Sequence, residues 1–247
     1  MVRLCTLIWI ALAFPAFADE VPKKLTLTRD IAVEEVFEHE GPVELRGNVG
    51  AGARMIIKAG GLEIQGSVGD NVTLDVEGVS HGRGGYARQS TTIVNDGALI
   101  VVNGQMVDVE GGRVPLEGPV DVIVTGQAGG NLTLISGTSA MLRDVGGGAD
   151  ISVQNALSFR TMGHAAKVKA GNTINGNHFG GGVMEAGNTI KLKEIGRDSD
   201  VAAGNTLSAD RIRADVKAHA GNVLKARRAH NTATLTAGNV VEVDKRY

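Results

Sequence analysis

The triplet Ala-Gly-Asn recurs five times in the last third of this 247-residue chain, at steps of 16, 17, 17 and 17 residues. The five copies begin at Ala170, Ala186, Ala203, Ala220 and Ala237. A repeat this short leaves no room for a helical hairpin or a propeller blade in each unit. A chain built from such units forms a solenoid, in which each unit packs only on its neighbours.

Apolar side chains recur at fixed distances from the triplet, with polar side chains between them. The column two residues before each Ala contains Val168, Met184, Val201, Ala218 and Leu235. The column four residues after it contains Ile174, Ile190, Leu207, Leu224 and Val241. This alternation is typical of strands with one buried face and one solvent-exposed face. The sequence therefore predicts an all-β fold, a parallel β-helix or β-solenoid with about 17–19 residues per coil, of either handedness.

The first 18 residues have the features of a secretory signal peptide. Arg3 provides the positive charge of the N-terminal region, residues 4–14 form the apolar region, and Ala16-Phe17-Ala18 matches a signal-peptidase cleavage site. The apolar region is shorter than the roughly 20 residues that a membrane-spanning helix needs. We therefore expect an exported protein without a transmembrane segment, located in the periplasm, at the cell surface or outside the cell. The only cysteine, Cys5, lies within the signal, so no disulfide is predicted.

The rest of the chain divides into four parts. Residues 19–42 are a charged lead-in that is predicted to cap the first coil, and residues 43–78 carry the first coils. Residues 79–112 interrupt the pattern with a polar, glycine-rich stretch and three apolar runs, which are separated by Asn95-Asp96-Gly97 and Asn103-Gly104. Because Asn-Gly is a strong hairpin signal, this part predicts an inserted β-meander. Residues 113–247 form the main β-helix.

The first coils carry a Gly-x-Val-Gly pattern at a pitch of 19 residues, in Gly47-Asn48-Val49-Gly50 and in Gly66-Ser67-Val68-Gly69. The segment Ala-Gly-Gly-Leu-Glu-Ile-Gln-Gly at residues 59–66 leads into the second copy. This part of the chain resembles the short-coil right-handed β-helices of bactofilin-type polymer-forming proteins and of the C-terminal domain of the bacterial division-site inhibitor. The resemblance implies a structural or regulatory role and polymerisation through the coils. Those families are cytoplasmic and lack the export signal found here.

Charge is divided unequally along the chain. Residues 19–162 contain 11 Lys and Arg against 19 Asp and Glu, a net charge of −8, whereas residues 163–247 contain 13 against 8, a net charge of +5. Opposite charges favour head-to-tail contacts between copies, so we expect end-to-end self-association. A nucleic-acid partner is disfavoured, because the chain is predicted to be exported and acidic residues such as Glu194 and Asp210 interrupt the basic segment.

The asparagines of the repeated triplet are in register from coil to coil. They are Asn172, Asn188, Asn205, Asn222 and Asn239. A corner of a coil buries backbone groups that need hydrogen-bond partners. The sequence therefore predicts a structural asparagine ladder at a buried corner.

Basic residues predominate at the outward positions of the last coils. The candidates are Lys191, Lys193, Arg211, Arg213, Lys225, Arg227 and Arg228. Strand residues two apart point to the same side, so these residues should share one or two adjoining faces. They predict a docking face for an anionic envelope polymer or an acidic protein surface. Alternatively, they only keep exposed strands from pairing with other chains.

The chain carries no catalytic motif and no cofactor fingerprint, so no catalytic residue, cofactor or metal is predicted. His164, His178, His219 and His230 fall in different columns, whereas a metal site needs converging ligands. The predicted function is a non-enzymatic structural, adhesive or scaffolding element of the cell envelope. The alternative is a polysaccharide-binding β-helix, or one that cleaves polysaccharides with paired carboxylates.

Overall fold

The computed structural model describes residues 24–58, 60–77 and 122–247, together with the backbone of four strands between residues 90 and 116. Within these ranges the regular secondary structure consists of strands, and there is no helix. The predicted signal peptide and the glycine-rich stretch at 79–89 lie outside the described residues.

Two parallel sheets run the length of the molecule, and each coil adds one strand to each sheet. Sheet A contains, in spatial order, β1 (Leu25–Leu27), β3 (Val43–Leu45), β5 (Leu62–Ile64), β11 (Val122–Ala128), β13 (Ala140–Val145), β15 (Ala156–Met162), β17 (Thr173–Phe179), β19 (Thr189–Ile195), β21 (Thr206–Ile212), β23 (Val223–Ala229) and β25 (Val240–Arg246). Sheet B contains β2 (Val36–Glu40), β4 (Arg54–Lys58), β6 (Thr73–Val76), β12 (Thr133–Ser136), β14 (Asp150–Val153), β16 (Ala166–Ala170), β18 (Gly182–Ala186), β20 (Ser199–Ala203), β22 (Lys217–Ala220) and β24 (Thr234–Ala237). The predicted β-solenoid is confirmed, with about 10 turns.

The repeat of the sequence sets the register of the strands. Ile190 pairs with Ile174 in the preceding coil and with Leu207 in the following coil. Near the start, Val43 pairs with Leu62, which reflects the longer pitch of the first coils. The predicted apolar column points inward where coils stack on both sides, since Ile174, Ile190 and Leu207 are fully buried, whereas Val241 in the last coil is 44% exposed. Stacking these columns produces one continuous core along the solenoid axis.

Glycine occupies the corner where successive coils touch after sheet B. A Cβ atom on Gly187, Gly204 or Gly221 would lie 2.0 Å from the carbonyl oxygen of the corner glycine one coil earlier. This distance is far shorter than any van der Waals contact, so at these three positions the corner has room only for bare backbone, whereas the same corner carries Gln154 in an earlier coil. The requirement for glycine is therefore steric and comes from coil stacking.

The insert between β6 and β11 contains β7 (Ser90–Val94), β8 (Ala98–Val102), β9 (Gln105–Val109) and β10 (Gly112–Leu116). β8 pairs with β9, and β7 pairs with β10, both antiparallel. Because β10 pairs with β7, residue 113 belongs to the insert, and the first described strand of the solenoid after it is β11. The turn motifs at 95–97 and 103–104 lie outside the described residues. β5 pairs directly with β11, so the coils stack without a gap across the insertion.

Residues 24–42 form a coil of the solenoid and not a separate cap. β1 pairs in parallel with β3, and β2 pairs in parallel with β4. The ring of Phe37 stacks on that of His39, with 6.3 Å between the ring centroids. Among the described residues this coil has a neighbour on one side only, and Leu25, Leu27 and Phe37 are accordingly half-buried against the core.

Candidate functional site

Each long strand of sheet A turns three side chains outward, and together they form the outer face of sheet A. On β19 these side chains are Lys191, Lys193 and Glu194, whereas Ile190 and Leu192 are buried. The same positions on the neighbouring strands are in register with them. Hydrogen-bonded strands lie about 4.8 Å apart. Outward side chains of successive coils therefore form columns of closely spaced groups.

The structure brings the predicted basic residues together on three adjacent strands. Lys191 and Lys193 are on β19, Arg211 is on β21, Arg213 directly follows β21, and Lys225, Arg227 and Arg228 are on β23. Three of them have acidic partners. Arg213 Nε and Arg211 Nη1 lie 2.7 Å and 3.7 Å from Glu194 carboxylate oxygens, and Lys225 Nζ lies 2.9 Å from one of Glu242.

The other four basic residues, Lys191, Lys193, Arg227 and Arg228, are exposed. Among the described ion pairs none involves these four side chains. We call them the free cations of the outer face. Arg228 pairs in register with Arg211 on one side and Lys245 on the other. Like charges at facing positions of neighbouring strands repel, so this column would be stabilised by an anion placed over it.

Glu194 is the carboxylate around which part of the basic face is organised. It accepts a hydrogen bond from Arg213 Nε at 2.7 Å, and His178 Nδ1 lies 3.8 Å away. Burial raises the pKa of Glu194, but the Arg213 hydrogen bond and the charges of Arg213, His178 and Arg211 outweigh burial, so its pKa is below the ordinary value. A general acid needs a pKa raised towards neutrality. This carboxylate is therefore suited to holding cations in place and not to donating a proton.

The triplet asparagines stack at an exposed corner, whereas the sequence predicts a buried corner. Asn172, Asn188, Asn205 and Asn239 are exposed, and Asn222 is half-buried. The continuous contact is made by the backbone, since the Asn188 carbonyl accepts hydrogen bonds from the N–H groups of Asn205, at 2.8 Å, and Thr206, at 3.1 Å. The side-chain amide of Asn172 donates to Asn155 in the preceding coil. The most buried member of each triplet is its alanine, which is buried in four coils and half-buried at Ala237, and the chain has already turned outward at the asparagine.

A shallow groove of about 420 Å³ lies beside this corner, over β16 to β22. Its floor consists of the alanines and glycines of the triplets, and Lys169, Glu185 and His219 stand along it. Small side chains provide contact surface but few polar atoms. Among the described residues, no group of three or more His, Cys, Asp or Glu side chains could hold a metal ion.

The insert lies against the outer face of sheet A, where β8 runs beside β13 and β15. Ile123 on β11 and Met141 on β13 point outward in this region, in the column that carries Lys191 further along. Both are only 7% exposed. The face of sheet A is therefore apolar and covered next to the insert, and basic and exposed in the last coils.

Sequence analysis missed a buried polar patch between these two regions. Ser158 on β15 and Asn175 on β17 continue the column of Lys191 and point outward, but they are only 5% and 3% exposed. The side-chain oxygens of Asn175 and of Asn177 on the same strand are buried, and no side chain or backbone group of the described residues donates a hydrogen bond to them. The sequence signal for this patch is the absence of charge at these two positions of β17, where β19 carries Lys191 and Lys193.

Comparisons with protein-family models, with curated proteins and with solved structures find no match to this chain. In the part of the chain that the structure describes, no helix has the length and apolar character needed to cross a membrane.

Proposed function

We propose that this protein is an exported, non-enzymatic scaffolding or adhesive element of the cell envelope, and that the outer face of sheet A binds an anionic envelope polymer. Its location would be the periplasm, the cell surface or the extracellular space. The observation that carries the proposal is the set of free cations, Lys191, Lys193, Arg227 and Arg228, on β19 and β23 of one face.

A polymer fits this face better than a small anion. The free cations belong to β19 and β23, which are separated by one strand, so their positions span about 10 Å along the solenoid axis. Each exposed ion pair contributes only a few tenths to about 1 kcal/mol. Several such contacts made by one chain add through effective concentration. An extended polyanion along the axis could reach cations of successive coils at once.

Binding is favoured over cleavage by the state of two carboxylates on this face, Glu194 and Glu242. Glycosidic cleavage uses two carboxyl groups, one of which stays protonated near neutral pH. Glu194 is held ionised by Arg213 and Arg211, and Glu242 is paired with Lys225. These contacts support a role of the carboxylates in positioning the cations.

The proposal is tested by binding to alginate, a polyuronate, at low salt. The variant K193Q/R227Q/R228Q should bind roughly tenfold more weakly, because three exposed contacts of up to about 1 kcal/mol each are lost. The matched control K167Q/K169Q/K217Q removes three exposed lysines from the outside of sheet B and should keep most of the affinity. Equal losses in both variants would refute a specific face, and release of unsaturated or reducing ends would refute the non-enzymatic role.

We further propose that copies of this scaffold associate end to end. In support, β24 and β25 each pair with a described strand on one side only, and Val240 and Val241 in the last coil are 46% and 44% exposed. The opposite net charges of the two parts of the chain also favour head-to-tail contact. Light scattering should give a mass that rises with protein concentration at low salt and falls at 1 M salt, where the Debye length is about 3 Å. A concentration-independent monomer mass at low salt would contradict this.

A further inference from the structure

The outward positions of sheet A form three columns in the last coils, and within these described coils one column carries cations on three successive strands. It consists of Arg211 on β21, Arg228 on β23 and Lys245 on β25, which are in register. We call these three residues the cation row. The other two columns are mixed. One of them contains Lys191, Ser208, Lys225 and Glu242. In the other, the charge alternates in the order Lys193, Asp210, Arg227 and Asp244.

The side chains of the cation row are accessible to a ligand. Arg228 and Lys245 are exposed, and neither of them takes part in an ion pair among the described residues. Arg211 is half-buried, and its Nη1 lies 3.7 Å from Glu194. A guanidinium group has five N–H donors, so this single contact leaves donors of Arg211 for a ligand. Like charges that face each other on neighbouring strands repel, and an anion placed along the row would relieve this repulsion.

The cation row ends at Glu194 on β19, which is in register with Arg211. A glutamate is ionised at neutral pH, and this carboxylate accepts a hydrogen bond from Arg213 Nε at 2.7 Å. The next residue of the same column, on β17, is His178. A negative group beyond Arg211 would therefore face a carboxylate and not a fourth cation. The row can thus pair with three negative groups, one above each of its strands.

We propose that the cation row binds three successive residues of a linear polyuronate, an acidic polysaccharide with a carboxylate on every sugar. This inference rests on the proposed function and names the spacing of charge on the polymer. Neighbouring strands lie about 4.8 Å apart, close to the length of one 1,4-linked hexose residue, so successive carboxylates meet successive cations. The planar guanidinium groups of Arg211 and Arg228 also match the geometry of carboxylates.

The spacing of the row distinguishes between classes of acidic polysaccharide. A polymer with a carboxylate on every second sugar has about twice the distance between its charges. It can place carboxylates over Arg211 and Lys245, but then none lies over Arg228. Such a polymer therefore reaches at most two of the three cations at once, and we expect it to bind more weakly than a polyuronate with the same number of charges.

The test titrates the protein at low salt with oligomannuronates of two, three and four residues and follows binding by NMR. The third residue should raise the affinity about two- to fivefold, as expected for one more exposed ion pair. The fourth should add little, because it meets Glu194. A hyaluronan hexasaccharide carries three carboxylates on alternate sugars, and it should bind more weakly than the mannuronate trimer by about the same two- to fivefold factor.

Two single substitutions test the row against a general effect of charge. Lys245→Gln shortens the row to two cations, so it should remove the gain in affinity from the mannuronate dimer to the trimer and change the affinity for the dimer much less. Arg227→Gln is the matched control, because it removes the same charge from an exposed position next to Arg228 but outside the row. It should lower the affinity for all lengths by a similar factor and keep the gain at the third residue.

The outcomes separate this proposal from the one on which it rests. If Lys245→Gln and Arg227→Gln act alike at every length, or if the hyaluronan hexasaccharide binds as tightly as the mannuronate trimer, the cations act as a diffuse patch. The row is then refuted, and the proposed anionic-polymer face stands. Binding of long alginate without detectable binding of the trimer also refutes the row. If wild-type protein binds neither, both proposals fall. The comparison of the oligosaccharides uses wild-type protein, so it does not depend on the folding of any variant.

Discussion

Gly204→Ala is expected to lower the free energy of unfolding by about 2–3 kcal/mol, the upper part of the range for overpacking. The added Cβ would lie 2.0 Å from the carbonyl oxygen of Gly187 in the preceding coil. The contact is with backbone, so no side chain can rotate away to relieve it. The two coils must separate, which strains the hydrogen bond from the Gly204 N–H to the Ala186 carbonyl, 2.9 Å long in the wild type. Denaturant unfolding measures the loss.

Two controls isolate the coil contact as the cause. Gly130→Ala places the same methyl group at a corner where the nearest heavy atoms are the Gly147 carbonyl oxygen at 3.3 Å and Asp70 Oδ1 at 3.8 Å. It should change stability by less than about 1 kcal/mol, because the Gly147 carbonyl need shift by only a small fraction of the displacement that the Gly204 contact requires. Asn205→Ala, at the exposed position next to Gly204, should change stability by less than about 0.5 kcal/mol. If Asn205→Ala lowers the free energy of unfolding as much as Gly204→Ala, the asparagine side chain and not the glycine contact stabilises this corner.

Phe159→Ala is expected to destabilise the solenoid by about 3–5 kcal/mol, since it empties the volume of a fully buried ring. The structure gives a sharper test through Gly176 on the neighbouring strand. A Cβ on Gly176 would lie 2.4 Å from Cζ of Phe159 and 2.9 Å from Cδ2 of Leu192. Gly176→Ala alone should therefore cost about 1–3 kcal/mol. Combined with Phe159→Leu it should cost much less, because the shorter side chain frees the space that the methyl group occupies.

A double-mutant cycle measures this coupling. The loss of stability in the double variant should be smaller than the sum of the two single losses by about 0.5–3 kcal/mol. Phe179→Leu combined with Gly176→Ala is the matched control. Phe179 is also fully buried, but its ring is not among the nearest neighbours of the Gly176 position. Its coupling to Gly176→Ala should be small. Additive losses in the cycle with Phe159 would contradict the packing of the ring over Gly176.

The periodic part of the sequence is sufficient to predict which residues form the core and which residues pair in successive coils. A strand alternates its side chains between two faces, and equal spacing between triplets forces equivalent residues to pair in successive coils. This pattern predicts that Ile174, Ile190 and Leu207 point inward, and the structure buries all three. The seven basic residues were placed on adjoining outward positions by the same reasoning, and they do lie together on and beside the outer face of sheet A.

The sequence pattern does not predict structural features that depend on contacts between segments far apart in the chain. In-register asparagines predict a ladder, but whether the corner faces the core or the solvent depends on how the chain bends between the two sheets, and the structure exposes Asn205. Apolar runs in the insert predict strands, but their pairing is not local: β7 pairs with β10, which the sequence assigns to the main β-helix. The charged lead-in also pairs as a coil, because β1 and β2 find parallel partners in the next coil.

The sequence by itself determined the architecture, the pitch of the coils, the inward columns and the basic character of the last outward face, because each of these follows from residue type at a fixed local spacing. Only the tertiary structure decided which glycines lie against a backbone, as at Gly204, and which outward positions are buried, as at Asn175. Both properties depend on the distance to atoms of another coil or of the insert. Such distances arise when the coils stack, and no single repeat contains them.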